Sequence, residues 1–383
     1  MLPLSYAIRN LFRDRSRLAQ TVGGAGLVVF LVMAAAAING GMMRVLSASG
    51  SDRNAILLGA GSEESIQRSE VVERAAEIAA ASVPGVARRF DRPAVSPEIH
   101  YMTWLERPGG ERGQALLRGV EPEILWVQPG VRVLEGRFPG PGEVMAGRLA
   151  WRSLGFGRDD LRPGAVVRFD DTEMSVSGVF AAPGTVMESE VWARLGDIRM
   201  LAQRETVSCV VLRLESPEDF AEADLFSTQR LDLELAALRE SDYYEGLARF
   251  FRPLRVMTWT TAGLIALGAV FGGLNTLYAA FAPRVRELAT LQAIGFTRRA
   301  VLASLVQESL LACMAGTLLA AALAVWVLDG LAVPFSIGTF TLEVTPGIAL
   351  GGMATGFLLG VLGALPPAVR CLRPPLPAAL RAS

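Results

Sequence analysis

Four long apolar stretches constrain the fold of this chain more than any other feature. They cover residues 19–38, 256–282, 300–328 and 346–369, and Glu308 is the only charged residue in any of them. A helix needs about 20 apolar residues to cross the hydrocarbon core of a bilayer. The composition agrees, with 51% hydrophobic residues and a mean hydropathy of +0.36. The sequence therefore predicts four transmembrane helices, over residues 19–43, 256–282, 300–328 and 346–370.

A cleaved signal peptide is the alternative interpretation of the first stretch, because Ala34, Ala35 and Ala36 resemble a small-residue cleavage site. The apolar run, however, is longer than the roughly 7–15 residues of a signal-peptide core. It also follows an amphipathic segment, which a signal peptide does not require. We therefore favour a membrane helix that is retained.

The amphipathic segment occupies residues 1–18. Leu4, Ile8, Leu11 and Phe12 fall on one helical face, whereas the arginines at 9, 13 and 17 fall elsewhere. This pattern is typical of a helix that lies in the membrane interface.

The distribution of arginine predicts the orientation of the helices. Arginines cluster before the first helix, in the loop 283–299 and after the fourth helix, whereas the loop 329–345 contains none. The positive-inside rule therefore places both termini, the tail 371–383 and the loop 283–299 in the cytoplasm. Arg249, Arg252 and Arg255 are a minor exception, because they end a long segment that crosses largely regardless of charge.

Residues 44–255 form the segment predicted to lie outside the cytoplasm, and their composition fits a mixed α/β domain. Two short strands around Asp170 and Asp171 predict a β-hairpin. Helices are predicted over residues 69–81 and 217–239. Further strands are predicted over residues 99–105, 115–120, 131–134 and 207–214.

No catalytic motif occurs in that segment. His100 is the only histidine of the chain, and one histidine without a cysteine cluster nearby is poor evidence for a metal site. The cysteines, Cys209, Cys313 and Cys371, fall in different compartments, which argues against an internal disulfide. We therefore expect a binding or structural domain without a metal or catalytic residues. For Trp126, Trp151 and Trp192 we favour core packing, with the lining of an apolar cleft as the alternative.

The loop 283–299 is the most informative segment. Val285, Leu288, Leu291 and Ile294 recur every three residues, and Gly295 supplies a stop signal for a short helix over residues 284–294. A short exposed helix with an apolar stripe is suited to docking in a groove of a partner. The alternative is a helix that only lies on the membrane surface.

At this loop the sequence resembles the FtsX-like permease family, which contains the MacB-type ABC transporters. The resemblance is carried by Arg286-Glu287-Leu288-Ala289-Thr290-Leu291-Gln292-Ala293-Ile294-Gly295, with Gln292 where the family usually has a basic residue. Residues 4–11 resemble the family's elbow helix. Residues 134–137, 143–147 and 176–180 resemble its periplasmic core domain, and residues 366–370 and 377–381 resemble its closing motif.

The resemblance implies a fold with an elbow helix, four membrane helices, and an extracytoplasmic α/β domain inserted between helices 1 and 2. It also implies a bacterial inner-membrane permease that pairs with a second copy or a paralogue. A separate cytoplasmic ABC ATPase would hold ATP and magnesium, since this chain has no lysine and hence no standard phosphate-binding loop. A periplasmic adaptor is a further partner that the resemblance allows.

The residues implied to couple the chain to the ATPase form one segment. They are Arg284, Arg286, Glu287, Leu288, Thr290, Leu291, Gln292, Ile294, Gly295 and Phe296. Gly352, Gly356 and Gly360 form a small-residue face in the fourth helix, suited to packing within one subunit or in a dimer. Glu308 is costly inside a membrane and is expected to be buried against protein, where it can cap an internal hydrogen bond.

Two functions remain open on the sequence. One is a permease that couples ATP hydrolysis to movement outside the cytoplasm, and so to export or extraction of a substrate. The resemblance implies this mechanism, which is called mechanotransmission. The other is an FtsX-style regulator that activates an extracytoplasmic enzyme, such as a cell-wall hydrolase. A membrane-anchored enzyme is disfavoured by the lack of a catalytic triad, a metal cluster or a cofactor loop.

Overall fold

The structure is a computed structural model that describes residues 4–107, 109–335 and 338–380. The chain forms two compact units. The helical unit contains the chain up to Gly40, Pro253–Leu331, and the chain from Leu342 onward. The sheet unit contains Gly41–Arg252 and Ala332–Thr341.

The α-helices differ widely in length. They are α1 (Leu4–Leu11), α2 (Arg15–Ser49), α3 (Arg74–Ser82), α4 (Ile124–Val127), α5 (Ala150–Leu154), α6 (Leu195–Ala202), α7 (Phe220–Gln229), α8 (Glu240–Phe250), α9 (Arg252–Phe281), α10 (Val285–Ala293), α11 (Arg298–Leu328), α12 (Pro346–Cys371) and α13 (Leu376–Leu380).

The strands are mostly short. They are β1 (Asn54–Gly59), β2 (Arg88–Arg89), β3 (Arg92–Pro93), β4 (Val95–Glu106), β5 (Arg112–Val120), β6 (Arg132–Gly136), β7 (Glu143–Gly147), β8 (Val166–Phe169), β9 (Thr172–Ala181), β10 (Val191–Arg194), β11 (Cys209–Arg213), β12 (Leu235–Arg239), β13 (Ala332–Phe335) and β14 (Gly338–Thr341).

Among the residues that the structure describes, four helical segments are long and apolar enough to cross a membrane, as the sequence predicts. They are α2, α11, α12 and the segment Arg252–Ala293, which begins with α9. Helices α11 and α12 each begin with a side-chain cap. Thr297 Oγ1 accepts a hydrogen bond from Ala300 N at the start of α11, and Thr345 Oγ1 accepts one from Ile348 N at the start of α12. Such caps satisfy backbone donors that have no partner inside the helix.

The sheet unit is built on one ten-stranded sheet. Its order is β12-β1-β11-β4-β5-β10-β7-β9-β6, and β8 pairs with β4 and β9. The pairs β5·β10 and β7·β9 are parallel, and the other pairs are antiparallel. The long strand β4 changes partner along its length, since its first half pairs with β11 and its second half with β5. Residues on these three strands are therefore brought together in space.

Both faces of the sheet are covered. In β1, Leu57 belongs to the larger apolar core, whereas Ile56 and Leu58 belong to a second core on the opposite face. In β11, Val210 faces the larger core, and Cys209 and Val211 face the second. Since side chains alternate between faces along a strand, this sheet has two buried faces.

The hairpin predicted around Asp170 and Asp171 is confirmed, because β8 and β9 pair antiparallel with Phe169 opposite Thr172. The helix predicted over residues 69–81 begins later, at Arg74, since Val71 forms an isolated bridge with Val207.

The long helix predicted over residues 217–239 is wrong. A 3-10 turn and α7 end by Gln229, Glu234 then takes a left-handed conformation (φ 49°), and the last five residues form β12. Strand β12 pairs with β1 at the edge of the sheet. Tertiary pairing has therefore overridden a local helical pattern.

The loop 329–345 contains more structure than the sequence indicated. Strands β13 and β14 form an antiparallel hairpin within it, with Val333 opposite Phe340. This hairpin belongs to the sheet unit, where Phe340 is buried. Arg381, part of the proposed closing motif, lies outside the described residues.

Candidate functional site

The segment between α9 and α11 folds as the predicted short helix, α10. Its end is a Schellman motif, in which Phe296 N donates to Leu291 O and Gly295 N donates to Gln292 O. Gly295 has a φ of 110°, a conformation that glycine adopts without the steric cost of a Cβ. The glycine thus turns the chain sharply from α10 toward α11.

Most of the apolar stripe of α10 faces the interior of its own chain, and the docking of this helix on a partner stays a prediction. Leu288 is 1% exposed and belongs to an apolar cluster of the helical unit with Phe281, Val301 and Ala368. Leu291 packs against the same cluster. The stripe therefore attaches α10 to its own chain.

The outward surface of α10 and the turn after it is mostly polar. It consists of Arg286, Glu287, Thr290, Ala293, Ile294 and Gly295. Ile294 is the large apolar residue among them, and its side chain is 72% exposed. Of the apolar residues predicted to dock on a partner, Ile294 is thus the one that presents its side chain outward.

Glu308 of α11 is the centre of a buried charge cluster. Its carboxylate accepts hydrogen bonds from Arg284 Nη1, at 3.0 and 3.2 Å, and from Arg17 Nη2. The side chains of Glu308, Arg284 and Arg17 are only 4%, 12% and 14% exposed. Arg284 precedes α10 directly, and Arg17 lies in the first turns of α2, so one carboxylate joins three parts of the helical unit.

The burial expected for Glu308 is therefore observed, but its partners were not predicted from the sequence. Because an ionised group inside a membrane helix normally has an opposite charge nearby, Arg17 and Arg284 could have been proposed from their positions. The cluster continues outward through Glu287, which lies 3.0 Å from Arg13 Nη1 and 3.7 Å from Arg284 Nε. This outer part is more exposed.

The glycine face of α12 packs inside the chain. A Cβ at Gly352 would lie 2.8 Å from Met33 Sδ, and one at Gly360 would lie 3.0 Å from Leu310 Cα. A Cβ at Gly356 would overlap Thr317 Oγ1. These three glycines therefore serve close helix packing within one copy of the helical unit.

The sheet unit holds a buried polar network on β4, β5 and β10. Arg118 donates to Glu98 Oε2 at 2.9 Å and to Glu190 Oε1 at 2.6 Å. Trp192 Nε1 donates to Glu190 Oε2 at 2.8 Å, and His100 Nε2 lies 3.1 Å from Glu98 Oε2. Trp192 thus has the core position expected of it, whereas the network around it was not foreseen.

Burial and charge shift the pKa values in this network. Burial alone would raise the pKa of Glu98, but the charge of Arg118 and the hydrogen bond with His100 outweigh it and hold that pKa below its usual range. Burial, together with the charge of Arg118, lowers the pKa of His100. Nearby, burial raises the pKa of Glu240 to about 7.

Two family models match the chain. Residues 18–224 match the MacB-like periplasmic core domain, and residues 259–376 match the FtsX-like permease C-terminal region. The first match alone covers more than half of the chain. This chain belongs to the FtsX-like, MacB-type permease family. As a member of that family it is a transmembrane component of an ABC transporter, with four membrane helices and an extracytoplasmic α/β domain.

Solved structures are similar to about half of this permease. The periplasmic region of MacB from Actinobacillus actinomycetemcomitans is 11% identical, covers 54% of this chain and 97% of its own, and has a TM-score of 0.40. The extracellular domain of the noncanonic ABC-type transporter YknZ from Gram-positive bacteria is 15% identical, covers 49% and 100%, and has a TM-score of 0.38.

A domain of a putative permease protein from Porphyromonas gingivalis is 18% identical, covers 49% of this chain and 88% of its own, and has a TM-score of 0.34. No curated protein sequence matches the permease. Its family assignment therefore rests on the two family models. The family implies an ABC ATPase partner in general and a non-catalytic role for the permease.

Proposed function

We propose that this permease couples ATP hydrolysis by a separate cytoplasmic ABC ATPase to movement of its extracytoplasmic domain, and so drives export or extraction of a substrate. In this proposal, ATP and magnesium reside on the ATPase, and the permease acts as a pair with a second copy or a paralogue. A periplasmic adaptor would accept the substrate. The chain lies in the bacterial inner membrane with both termini in the cytoplasm.

The arrangement of α10 is the observation that carries the proposal. Its inner side is held by Leu288, and its first turn adjoins Arg284, which is bound to Glu308 of α11. A force applied to the exposed side of α10 would therefore reach α11 through a buried ion pair as well as through apolar contacts. A helix attached only by a flexible loop would lose that force.

Helix α2 is also connected to α10 through Glu308. Arg17 bonds Glu308 near the start of α2, and α2 continues without interruption to Ser49. At about 1.5 Å per residue, its 35 residues span roughly 52 Å, more than the ~30 Å of a hydrocarbon core. We propose that α1 acts as the elbow helix and that the extracytoplasmic domain is inserted in the sequence between α2 and α9.

The exposure of Ile8 (41%) and Phe12 (61%) supports the elbow assignment, since apolar side chains on that surface suit the membrane interface. Arg17, however, belongs to α2 and is engaged by Glu308, so it is not part of the polar face of the elbow.

Purification from native membranes tests the proposal. The permease, extracted in mild detergent, is expected to bring down an ABC ATPase subunit, and ATP hydrolysis by the complex should respond to changes in α10. Recovery of the permease without any ATPase subunit would contradict the proposal.

A further inference from the structure

Three metal-binding side chains of different chemistry meet inside the sheet unit. Glu98, His100 and Cys209 each offer one ligand atom, and these atoms all lie within 4.8 Å of one another. The sheet itself creates this arrangement. Glu98 and His100 are two residues apart on β4 and so share a face, and Cys209 on β11 is the direct cross-strand neighbour of Glu98.

The backbone around the three side chains is well fixed. Ser208 N donates to Glu98 O at 2.7 Å, and His100 N donates to Ser208 Oγ at 3.0 Å. Glu98 and Cys209 are fully buried, and His100 is 7% exposed. The three side chains are therefore held close together by paired strands on a covered face.

The charges in this region do not balance. Glu98 and Glu190 are both buried carboxylates, and the guanidinium of Arg118 lies between them. Two negative charges and one positive charge leave an excess of one negative charge, which is costly in a protein interior. A cation beside Glu98 would remove that excess.

One oxygen of Glu98 adds a second, independent observation. Within the described parts of the chain, Glu98 Oε1 is buried and has no hydrogen-bond partner of good geometry, although the side chain of Ser96 is close enough to interact weakly with this carboxylate. A buried carboxylate oxygen without a donor loses its hydration without compensation, and a bound cation would supply that compensation. Glu98 Oε2, in contrast, is held by Arg118.

We propose that Glu98, His100 and Cys209 bind one zinc ion inside the sheet unit. Thiolate, imidazole and carboxylate are the ligands that zinc takes in proteins, at about 2.0–2.3 Å. In a tetrahedral site such bonds separate ligand atoms by roughly 3.3–3.7 Å, and the ligand atoms of the three residues lie within 4.8 Å of one another. Water supplies the fourth ligand, as in zinc sites with three protein ligands.

Binding by Cys209 releases the thiol proton, and the proton of the neutral His100 ring moves from Nε2 to Nδ1, so that Nε2 can bind the metal. Zinc then cancels the charges of the thiolate and of Glu98. Arg118 stays in place and is left to neutralise Glu190. The hydrogen bond from Arg118 to Glu98 orients the carboxylate for the metal, as partners of metal ligands commonly do. Because the ligands are buried, the metal enters while the domain folds, and its binding stabilises the β4–β11 pair.

Metal analysis of the full chain tests this site. The permease is produced in zinc-supplemented medium, purified in detergent without chelator, and analysed by elemental mass spectrometry. We expect about one zinc per chain, and at least a tenfold loss in Cys209→Ser and His100→Ala. Cys313→Ser is the matched control, because Cys313 is also a buried free cysteine but lies in α11.

Two results would overturn the proposal: wild-type protein with less than about a tenth of a zinc per chain, or Cys209→Ser with the zinc content of the wild type. The first result would show that the three side chains meet without binding metal. If the variants do not accumulate, the absorption spectrum of wild-type protein produced with cobalt tests the site instead. A thiolate-to-cobalt charge-transfer band supports the site, and bound cobalt without that band, or no bound cobalt, contradicts it.

Discussion

Arg284 Nη1 lies 3.0 Å from Glu308 Oε2 and 3.2 Å from Glu308 Oε1, so a residue at the start of the α10 segment is bonded to the interior of α11. The same carboxylate also holds Arg17. This relationship gives the short helix a polar attachment to the membrane helices in addition to its apolar one. Changes to that attachment, or to the surface that α10 exposes, should therefore have distinct and measurable effects.

Removing the charge of Glu308 is expected to destabilise the permease strongly. Glu308→Gln leaves Arg17 buried without its counter-charge, and it leaves Arg284 with only the partly exposed Glu287, 3.7 Å from its Nε. Breaking a buried pair in this way costs about 3–5 kcal/mol. Thermal unfolding of the purified protein in detergent measures the loss. Glu287→Gln is the control, because that side chain is 44% exposed and its loss should cost at most about 1 kcal/mol.

A triple variant, Arg17→Gln, Arg284→Gln and Glu308→Gln, separates charge imbalance from lost packing. Because it removes all three charges together, it should be more stable than Glu308→Gln alone. Equal stability of the triple and the single variant would show that the buried ion pairs are not the cause.

Ile294 and Leu288 should respond in opposite ways to a negative charge. Ile294→Asp changes an exposed side chain, so the permease should fold normally while ATP-driven activity falls at least about tenfold. Leu288→Asp buries a charge in the apolar cluster and should prevent accumulation of folded protein. ATPase assays of the purified complex and thermal unfolding measure the two effects. Normal coupling in Ile294→Asp would contradict the role given to this surface.

Gly356→Ala is expected to destabilise the helical unit by about 1–3 kcal/mol, since the new methyl group overlaps Thr317 Oγ1. Gly272→Ala in α9 is the control, because a Cβ there meets no atom within 4 Å. Adding Thr317→Ala should restore only part of the stability, because the Cβ of residue 317 would still be about 3.0 Å away. Thermal unfolding of the three variants distinguishes these outcomes.

Glu240 should make the sheet unit less stable as the pH rises. Its carboxylate accepts hydrogen bonds from Ser51 N, Asn54 Nδ2 and Gln128 Nε2, yet burial raises its pKa from 4.5 to about 7. The folded state therefore holds a proton that the unfolded state releases above pH 4.5. The contribution of this group to the free energy of unfolding is fully present below pH 4.5 and is lost as the pH rises through 7.

The variant Glu240→Gln isolates this effect from the other titrating groups nearby, which include Glu98 and Arg118. Relative to wild type, its stability should increase by up to about 3 kcal/mol between pH 4.5 and 7 and then stay level. Thermal unfolding of both proteins across this range measures the difference. A difference that does not change with pH would show that Glu240 is ionised throughout.

The sequence predicts the membrane helices and α10 well because these depend on local signals. Uncharged apolar runs and the stop at Gly295 are visible without knowledge of any tertiary contact. The edge strand β12 was missed because residues 235–239 are extended only through pairing with β1. A helical pattern in the sequence could not reveal that partner.

For the site residues too, the sequence predicted what depends on local signals and missed what depends on tertiary contacts. Leu288 was correctly placed on an apolar stripe, but the sequence could not say whether that stripe faced a partner or the chain itself. Glu308 was recognised as costly, whereas its bonds to Arg17 and Arg284 join residues 291 and 24 positions apart. Cys209 and His100 likewise meet only because β11 and β4 are adjacent.

Side-specific labelling of residue 294 tests the central claim most directly. Ile294→Cys is made in a Cys371→Ser background, since the other cysteines are buried, and is treated with a membrane-impermeant maleimide in sealed vesicles of each orientation. Phe90→Cys, at an 83% exposed position of the sheet unit, is the control for the opposite side. The account predicts labelling of residue 294 only from the cytoplasmic side and of residue 90 only from the other. Labelling of residue 294 from the extracytoplasmic side would contradict it.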